Sequence, residues 1–199
     1  RCANNKRTIF GSCVFLLIVI LLVADFLLER RVTEAPLPIL GTIQPFKLSD
    51  TLNRIFDSDQ LKNKVWVVDF FFTSCGGICP VMTKNMAALH RSYRLNDEVE
   101  FVSISVNPEN DTPRVLEEYA KRYKADLKKW HFLTGPRERI TDVALRNFKI
   151  GSVDEPVFHS AFFVLVDQNG QIRGYYDGTQ DNEIQQLFKD LASLLSQKK

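Results

Sequence analysis

The chain has 199 residues, of which 45% are hydrophobic, so it is long enough to bury one good-sized core. Its 26 basic and 24 acidic residues leave a net charge of +2, a balance too even to indicate a nucleic-acid partner or a strongly acidic one. Four cysteines are too few for a disulfide-rich scaffold. We therefore expect one globular domain with appendages and no binding of nucleic acid.

The first element in chain order is an apolar segment at residues 9–28, which reads IFGSCVFLLIVILLVADFLL and carries a single charge, Asp25. About 20 apolar residues is the length that a helix needs to cross a bilayer core. A cleaved signal peptide is the alternative, but its apolar core would be only about 7–15 residues long, and no cleavage site follows Leu28. We predict a transmembrane helix that is retained as an anchor, with a short tail at residues 1–8.

The basic residues around this segment predict its orientation. Arg1, Lys6 and Arg7 precede the segment, whereas Arg30 and Arg31 follow it. The count favours an N-terminus in the cytoplasm or the mitochondrial matrix. The globular domain would then lie in a bacterial periplasm or, as the alternative, in the mitochondrial intermembrane space. The lack of an Arg/Ser-rich transit region favours the bacterial setting.

Residues 29–40 contain prolines without helical periodicity and predict a linker, followed by a globular domain at residues 41–197. Hydrophobic periodicity and turn residues indicate the elements of that domain. We expect strands at 61–73 and 98–106, a hairpin at 160–178, and helices at 79–95, 111–124, 137–150 and 181–197. The second of these helices begins at Asp-Thr-Pro, where Asp111 or Thr112 is a suitable cap.

Strands that alternate with helices, followed by a hairpin and a last helix, give a βαβ unit and a ββα unit around one sheet. This is the topology of thioredoxin. We therefore predict an α/β, thioredoxin-like fold, with a central mixed sheet flanked by helices, attached to the N-terminal transmembrane helix.

A pair of cysteines lies where thioredoxin carries its own, between the first central strand and its helix. The segment is TSCGGICP, and its Cys75 and Cys79 are the only cysteines outside the N-terminal region. Cysteines four residues apart at a helix start project from the same side, and the helix N-terminus favours the thiolate form. A structural disulfide, a redox pair and half of a metal site are all open at this point, although so short a loop makes a purely stabilising disulfide weak.

A metal site would need a third ligand, and the sequence offers three histidines. His90 stands among charged neighbours and is expected to be exposed on its helix, whereas His131 is expected in a strand or in the core. His159 precedes the first hairpin strand, and in thioredoxin topology the loop before that strand lies against the cysteines. Two thiolates and one imidazole suit Cu(I), a soft ion that accepts few ligands, whereas zinc would require a fourth ligand.

The motifs resemble those of the Sco/SenC proteins, which are membrane-anchored, thioredoxin-like copper chaperones of cytochrome c oxidase assembly. The resemblance is carried, in family order, by PLPILGTIQPFKLSD, FFFTSCGGICPVM, SISVNPENDTP, WHFLTG and HSAFFVLVDQNG. It implies that Cys75, Cys79 and His159 bind a copper ion. It also implies delivery of copper to the dinuclear site of the oxidase, or reduction of that site's cysteines so that they accept copper.

The implied partners are the membrane and the copper-bearing subunit of cytochrome c oxidase, or other copper or thiol proteins. Two positions depart from the family pattern: Asn107 and Phe158 stand where aspartate is frequent, so neither offers a carboxylate to orient His159. Asp111 is interpreted as a helix cap rather than as a site residue.

Two other functions remain open from the residues alone. In the first, Cys75 and Cys79 form the catalytic redox pair of a thiol-disulfide oxidoreductase that uses no metal. In the second, the protein senses redox state or copper and signals instead of delivering the metal. His159 distinguishes the copper site from the oxidoreductase, because only metal binding requires its imidazole.

Overall fold

The computed structural model describes residues 36–151 and 160–197. The strands are, in chain order, β1 (Gly41–Thr42), β2 (Lys47–Ser49), β3 (Ile55–Asp57), β4 (Val65–Phe71), β5 (Val99–Ser105), β6 (Trp130–Leu133), β7 (Phe162–Val166) and β8 (Gln171–Asp177). Six of them form one mixed sheet in the order β1-β8-β7-β4-β5-β6, and β2 and β3 form a separate hairpin.

The helices are α1 (Cys79–Tyr93), α2 (Pro113–Arg122), α3 (Arg137–Asp142) and α4 (Asp181–Ser196). A short 3-10 helix, Ser58–Leu61, follows β3, and α3 continues into a π-helical turn, Val143–Asn147. The predicted central mixed sheet flanked by helices is confirmed. No helix within residues 36–151 and 160–197 is long and apolar enough to cross a membrane. The predicted transmembrane helix at residues 9–28 lies outside the residues that the structure describes.

The central strand β4 is buried along its whole length, which explains why its sequence is a continuous apolar run instead of an alternating one. Its successive side chains divide between two cores. Val67 and Phe71 pack with the residues of α1, α2 and α4, whereas Val68 and Phe70 pack with those of α3 and the β2–β3 hairpin. Phe148, fully buried in the second core, contacts Phe70 edge-on at 5.5 Å between ring centroids.

Strands β4, β5 and β6 run parallel, so the carboxyl ends of β4 and β5 meet at one edge of the sheet. The pairing continues one step beyond the strands, because the Val106 N–H donates to the Phe71 carbonyl at 2.9 Å. The loops that follow β4 and β5 therefore start side by side. The first of these loops carries the cysteine motif.

At the other side of the sheet, β1 pairs with β8 and covers its outer edge. Just before β1, the Leu40 N–H donates to the Ile172 carbonyl at 2.8 Å. The guanidinium of Arg173 donates to the carbonyl oxygens of Leu37 and Pro38. The chain is thus fastened along β8 from residue 37 onward.

The cap of α2 was expected at Asp111 or Thr112, and it is Thr112, whose hydroxyl accepts the Val115 N–H at 3.4 Å. Two interpretations of single residues are wrong. Asp111 is not the cap, because its carboxylate accepts hydrogen bonds from Thr73 and Ser105. His90 is buried, at 4% exposure, with its ring 5.5 Å from that of Trp130. It lies four residues after Met86 on the apolar face of α1, and this helical spacing outweighs its charged sequence neighbours.

Candidate metal centre

The two cysteines lie at the junction between β4 and α1. Cys75 is half-buried in the loop, whereas Cys79 is the first residue of α1 and is 5% exposed. Both are free thiols. Ile78 caps the helix without a side-chain hydrogen bond, which leaves the first backbone N–H groups of α1 available to other acceptors.

The Cys75 sulfur accepts the first of these N–H groups and two more from the residues just before the helix. Burial raises the pKa of the Cys75 thiol, but hydrogen bonds from the Cys79 thiol and from the backbone N–H groups of Cys79, Gly77 and Ile78 outweigh it. The net pKa of Cys75 therefore lies below its ordinary value of 9.0. Cys75 is the sulfur that the fold prepares to carry negative charge.

The pKa of the Cys79 thiol is shifted in the opposite direction, upward. Burial raises its pKa to about 12, and its hydrogen bond to Cys75 and the charges of Cys75 and Asp69 act in the same direction, against a lowering by the Phe72 N–H. The Cys79 sulfur therefore keeps its proton near neutral pH, and Cys75 is the first of the two to lose its proton. A bound cation would displace the protons and bring both sulfurs into the thiolate form.

Asp69 lies in the middle of β4 and is 1% exposed. Burial raises the pKa of its carboxyl to about 7, against a lowering by the Ser103 hydroxyl, which donates to Oδ1 at 2.5 Å. The Trp130 indole donates in turn to the Ser103 oxygen at 2.9 Å. We did not predict a role for Asp69, although it is the one charged residue within the apolar run VWVVDFFF.

A second buried carboxylate contacts the motif loop directly. Asp111, at 0% exposure, accepts the Thr73 N–H at 3.0 Å and the Thr73 hydroxyl at 2.5 Å. Its Oδ2 atom also accepts the Ser105 hydroxyl at 2.5 Å. Asp111 therefore joins the end of β5 to the residue two positions before Cys75.

The third predicted ligand, His159, lies outside the described residues. Close after it in the chain, at the start of the hairpin, the Ala161 carbonyl accepts the Gly178 N–H at 2.6 Å. A Cβ atom built on Gly178 would lie 3.1 Å from Cγ of Met82, so this end of the hairpin abuts the first turn of α1.

The other two histidines take part in packing and pairing. His90 lies between aromatic rings, and His131 lies on β6, as expected, with its Nε2 atom 3.2 Å from Oε2 of Glu100. Within residues 36–151 and 160–197, no group of three or more His, Cys, Asp or Glu side chains is placed to hold a metal ion.

Residues 39–196 match the family model described as SCO1/SenC. The SCO1 protein homolog of Bacillus subtilis (strain 168) is 32% identical over 162 residues, which cover 78% of this chain and 84% of that protein. The structure of BsSco is 31% identical and has a TM-score of 0.71, and the match covers 82% of this chain and 100% of that one. BsSco is a member of the Sco family of cytochrome c oxidase assembly proteins, and a disulfide switch was identified in it. Copper-bound ScoI of Arabidopsis thaliana is 27% identical, with 76% and 99% covered and a TM-score of 0.62.

Proposed function

The chain belongs to the SCO1/SenC family, and we propose that it is a copper-binding protein of cytochrome c oxidase assembly. It holds one Cu(I) ion through Cys75, Cys79 and His159. It delivers this ion to the dinuclear copper site of the oxidase, or it reduces the cysteines of that site so that they accept copper. Its partner is the copper-bearing subunit of the oxidase, with other copper or thiol proteins as alternatives.

The observation that carries the proposal is the pair of free thiols at the start of α1, which are hydrogen-bonded to each other and each accept backbone N–H groups. Such a pair offers two soft ligands at once, because the two sulfurs lie within hydrogen-bond distance and a metal ion displaces their protons. Thiolates suit soft ions, and among these Cu(I) accepts three ligands whereas zinc would require a fourth. The copper-bound structure of ScoI from Arabidopsis thaliana, which has the same fold, agrees with this choice.

The position of Ala161 supports His159 as the third ligand. Ala161 is hydrogen-bonded to Gly178, which lies against Met82, one turn along α1 from Cys79. Because consecutive Cα atoms are about 3.8 Å apart, the Cα atom of His159 is within roughly 8 Å of that of Ala161. We therefore expect the imidazole of a residue two positions before Ala161 to be able to reach the first turn of α1.

An anaerobic Cu(I) titration of the fully reduced protein tests the proposal. We expect one equivalent to bind to the wild type, and binding to be sharply weaker in Cys75→Ala and His159→Ala. His131→Ala is the matched control, because that imidazole pairs with Glu100, and it is expected to bind as the wild type does. Unchanged affinity in His159→Ala would exclude the three-ligand site.

The unequal exposure of the two thiols favours a second candidate function, thiol-disulfide exchange without metal. The Cys75 thiolate would attack one sulfur of a client disulfide and release the other as a thiolate. Cys79, once deprotonated, would then attack the Cys75 sulfur and release the second client thiolate. The client gains two electrons and this chain is left with a disulfide. His159→Ala would leave this exchange intact while abolishing tight copper binding.

We place the domain outside a membrane to which residues 9–28 anchor it. The periplasm is the compartment we propose, with the mitochondrial intermembrane space as the alternative. The charge count around residues 9–28 supports this orientation. Protection of the domain from added protease until the outer compartment is opened, with retention in the membrane pellet at alkaline pH, is the expected result. Release of the protein from the membrane at alkaline pH would show that residues 9–28 are not a transmembrane anchor.

A further inference from the structure

The Cys75 loop is held on its N-terminal side by a buried carboxylate. Asp111 is fully buried and accepts three hydrogen bonds from neutral donors: the Thr73 N–H, the Thr73 hydroxyl and the Ser105 hydroxyl. Hydrogen bonds to an ionised acceptor are shorter and stronger than those between neutral groups. A buried carboxylate that loses one of them is left with an uncompensated desolvation cost. These contacts therefore fix Thr73 firmly.

Thr73 adjoins Phe72, whose backbone carbonyl and N–H each contact one of the two cysteines. The carbonyl of Phe72 accepts the Cys75 N–H at 3.3 Å, and the Phe72 N–H donates to the Cys79 sulfur. A displacement of Thr73 would carry Phe72 with it. The Cys79 sulfur would then lose its backbone donor, and the backbone N–H of Cys75 would lose its acceptor.

The rest of the loop offers little packing in its place. A Cβ atom built on Gly76 or on Gly77 would meet no other atom within 4 Å, so open space surrounds these two residues. Gly76 and Gly77 also lower the conformational stiffness of the loop. The hydrogen bonds between Asp111 and Thr73 therefore act together with the packing of Phe72 and Cys75 against the core to hold the loop ahead of α1.

We propose that Asp111 is a positioning residue of the dithiol, which acts through Thr73 to hold Cys75 and Cys79 in register with their backbone donors. The alternative is that Asp111 only stabilises the fold. For copper binding the proposal rests on the function proposed above, whereas for the thiol-disulfide equilibrium it does not. The glutathione equilibrium and the Cu(I) affinity are therefore measured separately.

Thr73→Val is the central variant, because its methyl group cannot approach the carboxylate to 2.5 Å, and a C–H···O contact needs about 3.3 Å or more. Thr73→Ser keeps the hydroxyl. Asp111→Asn leaves one acceptor oxygen for three donors. Ser105→Ala is the matched control, since it removes a bond to the same carboxylate but none to the loop. The thiol-disulfide equilibrium with glutathione is measured for each full-length chain without metal, together with its Tm, and Cu(I) affinity is measured by competition with a chelator.

We expect Thr73→Val and Asp111→Asn each to shift the glutathione equilibrium roughly tenfold toward the disulfide, because the reduced Cys79 sulfur loses its Phe72 N–H donor. The double variant should equal Thr73→Val alone, and Thr73→Ser should match the wild type. Ser105→Ala should lower the Tm and leave the equilibrium within about twofold of the wild type.

The positioning role is overturned if Asp111→Asn lowers the Tm only, if its shift persists in full beside Thr73→Val, or if Ser105→Ala shifts the equilibrium as far. If the wild type binds no Cu(I), the proposed function fails while the glutathione arm still decides the role of Asp111.

Discussion

The Cys75 thiol is half-buried, whereas the Cys79 thiol to which it is hydrogen-bonded is almost completely enclosed at the start of α1. The same arrangement lowers the pKa of Cys75 and raises that of Cys79 to about 12. The two sulfurs are therefore chemically distinct although only three residues separate them.

Alkylation should reveal this difference. In the reduced, metal-free protein near neutral pH, iodoacetamide is expected to modify Cys75 at least roughly tenfold faster than Cys79, because only the exposed thiolate reacts. Mass spectrometry of the labelled peptides measures both rates. In urea the rates should converge, and equal rates in the folded protein would contradict the structure.

Asp69 should make the protein less stable at higher pH. Its pKa is raised from an ordinary 3.8 to about 7, so the folded state holds its proton more tightly than the unfolded state does. The stabilisation is present below about pH 4 and is lost as the pH rises through about 7, on the order of 4 kcal/mol in all. Urea unfolding should show that the wild type loses more stability than Asp69→Asn between about pH 5 and about pH 8. Parallel pH profiles would show that the carboxyl is not buried as described.

His90 should change the stability in the opposite direction, making the protein less stable at lower pH. Burial lowers its pKa from 6.5, with Asp126 opposing and Arg91 and Lys129 adding to this effect, and its Nε2 atom is buried without a hydrogen-bond partner. The unfolded chain therefore binds the proton more readily, and stability falls as the pH drops below about 6.5. We expect the Tm of His90→Phe to fall less than that of the wild type between about pH 7.5 and about pH 5, measured by circular dichroism. An equal fall in both proteins would exclude His90 as a source of acid sensitivity.

Gly178 offers a test of the geometry on the hairpin side. A Cβ atom there would lie 3.1 Å from the Ala161 oxygen, 3.1 Å from Cγ of Met82 and 3.2 Å from Cζ of Phe163. Gly178→Ala should therefore displace the start of β7 and weaken Cu(I) binding several-fold, while the glutathione equilibrium of the dithiol changes little. Gly76→Ala, in open space, is the matched control and should affect copper binding less. A larger effect of Gly76→Ala would contradict the proposed approach of His159 from the hairpin.

The sequence pattern was sufficient for the elements that are long or strongly patterned. The apolar run of β4, the period of α1 and the turn between β7 and β8 all lie where they were expected. Strand β6 was expected only as a strand or core position for His131 and without bounds, because it has only four residues and is defined by parallel pairing with β5. Pairing over such a distance along the chain leaves no local pattern.

The two carboxylates show where local interpretation ends. Asp111 precedes Pro113 as a cap would, but the Thr73 that binds its carboxylate lies 38 residues away in the chain, and Thr112 takes the cap position. Asp69 could have been noticed as a lone charge in a buried run. Its partner Ser103 and its effect on Cys79 depend on how β4 and β5 align.

The attachment of the chain along β8 limits how far the dithiol can travel. Arg173 holds the carbonyls of Leu37 and Pro38 while its own guanidinium pairs with Asp167 at 2.7 Å. If residues 9–28 form the anchor we propose, residues 29–36 alone connect it to the domain. Eight residues span at most about 28 Å when fully extended. The domain would then stay attached to the membrane during each exchange, and a soluble acceptor would have to come to the membrane to be served.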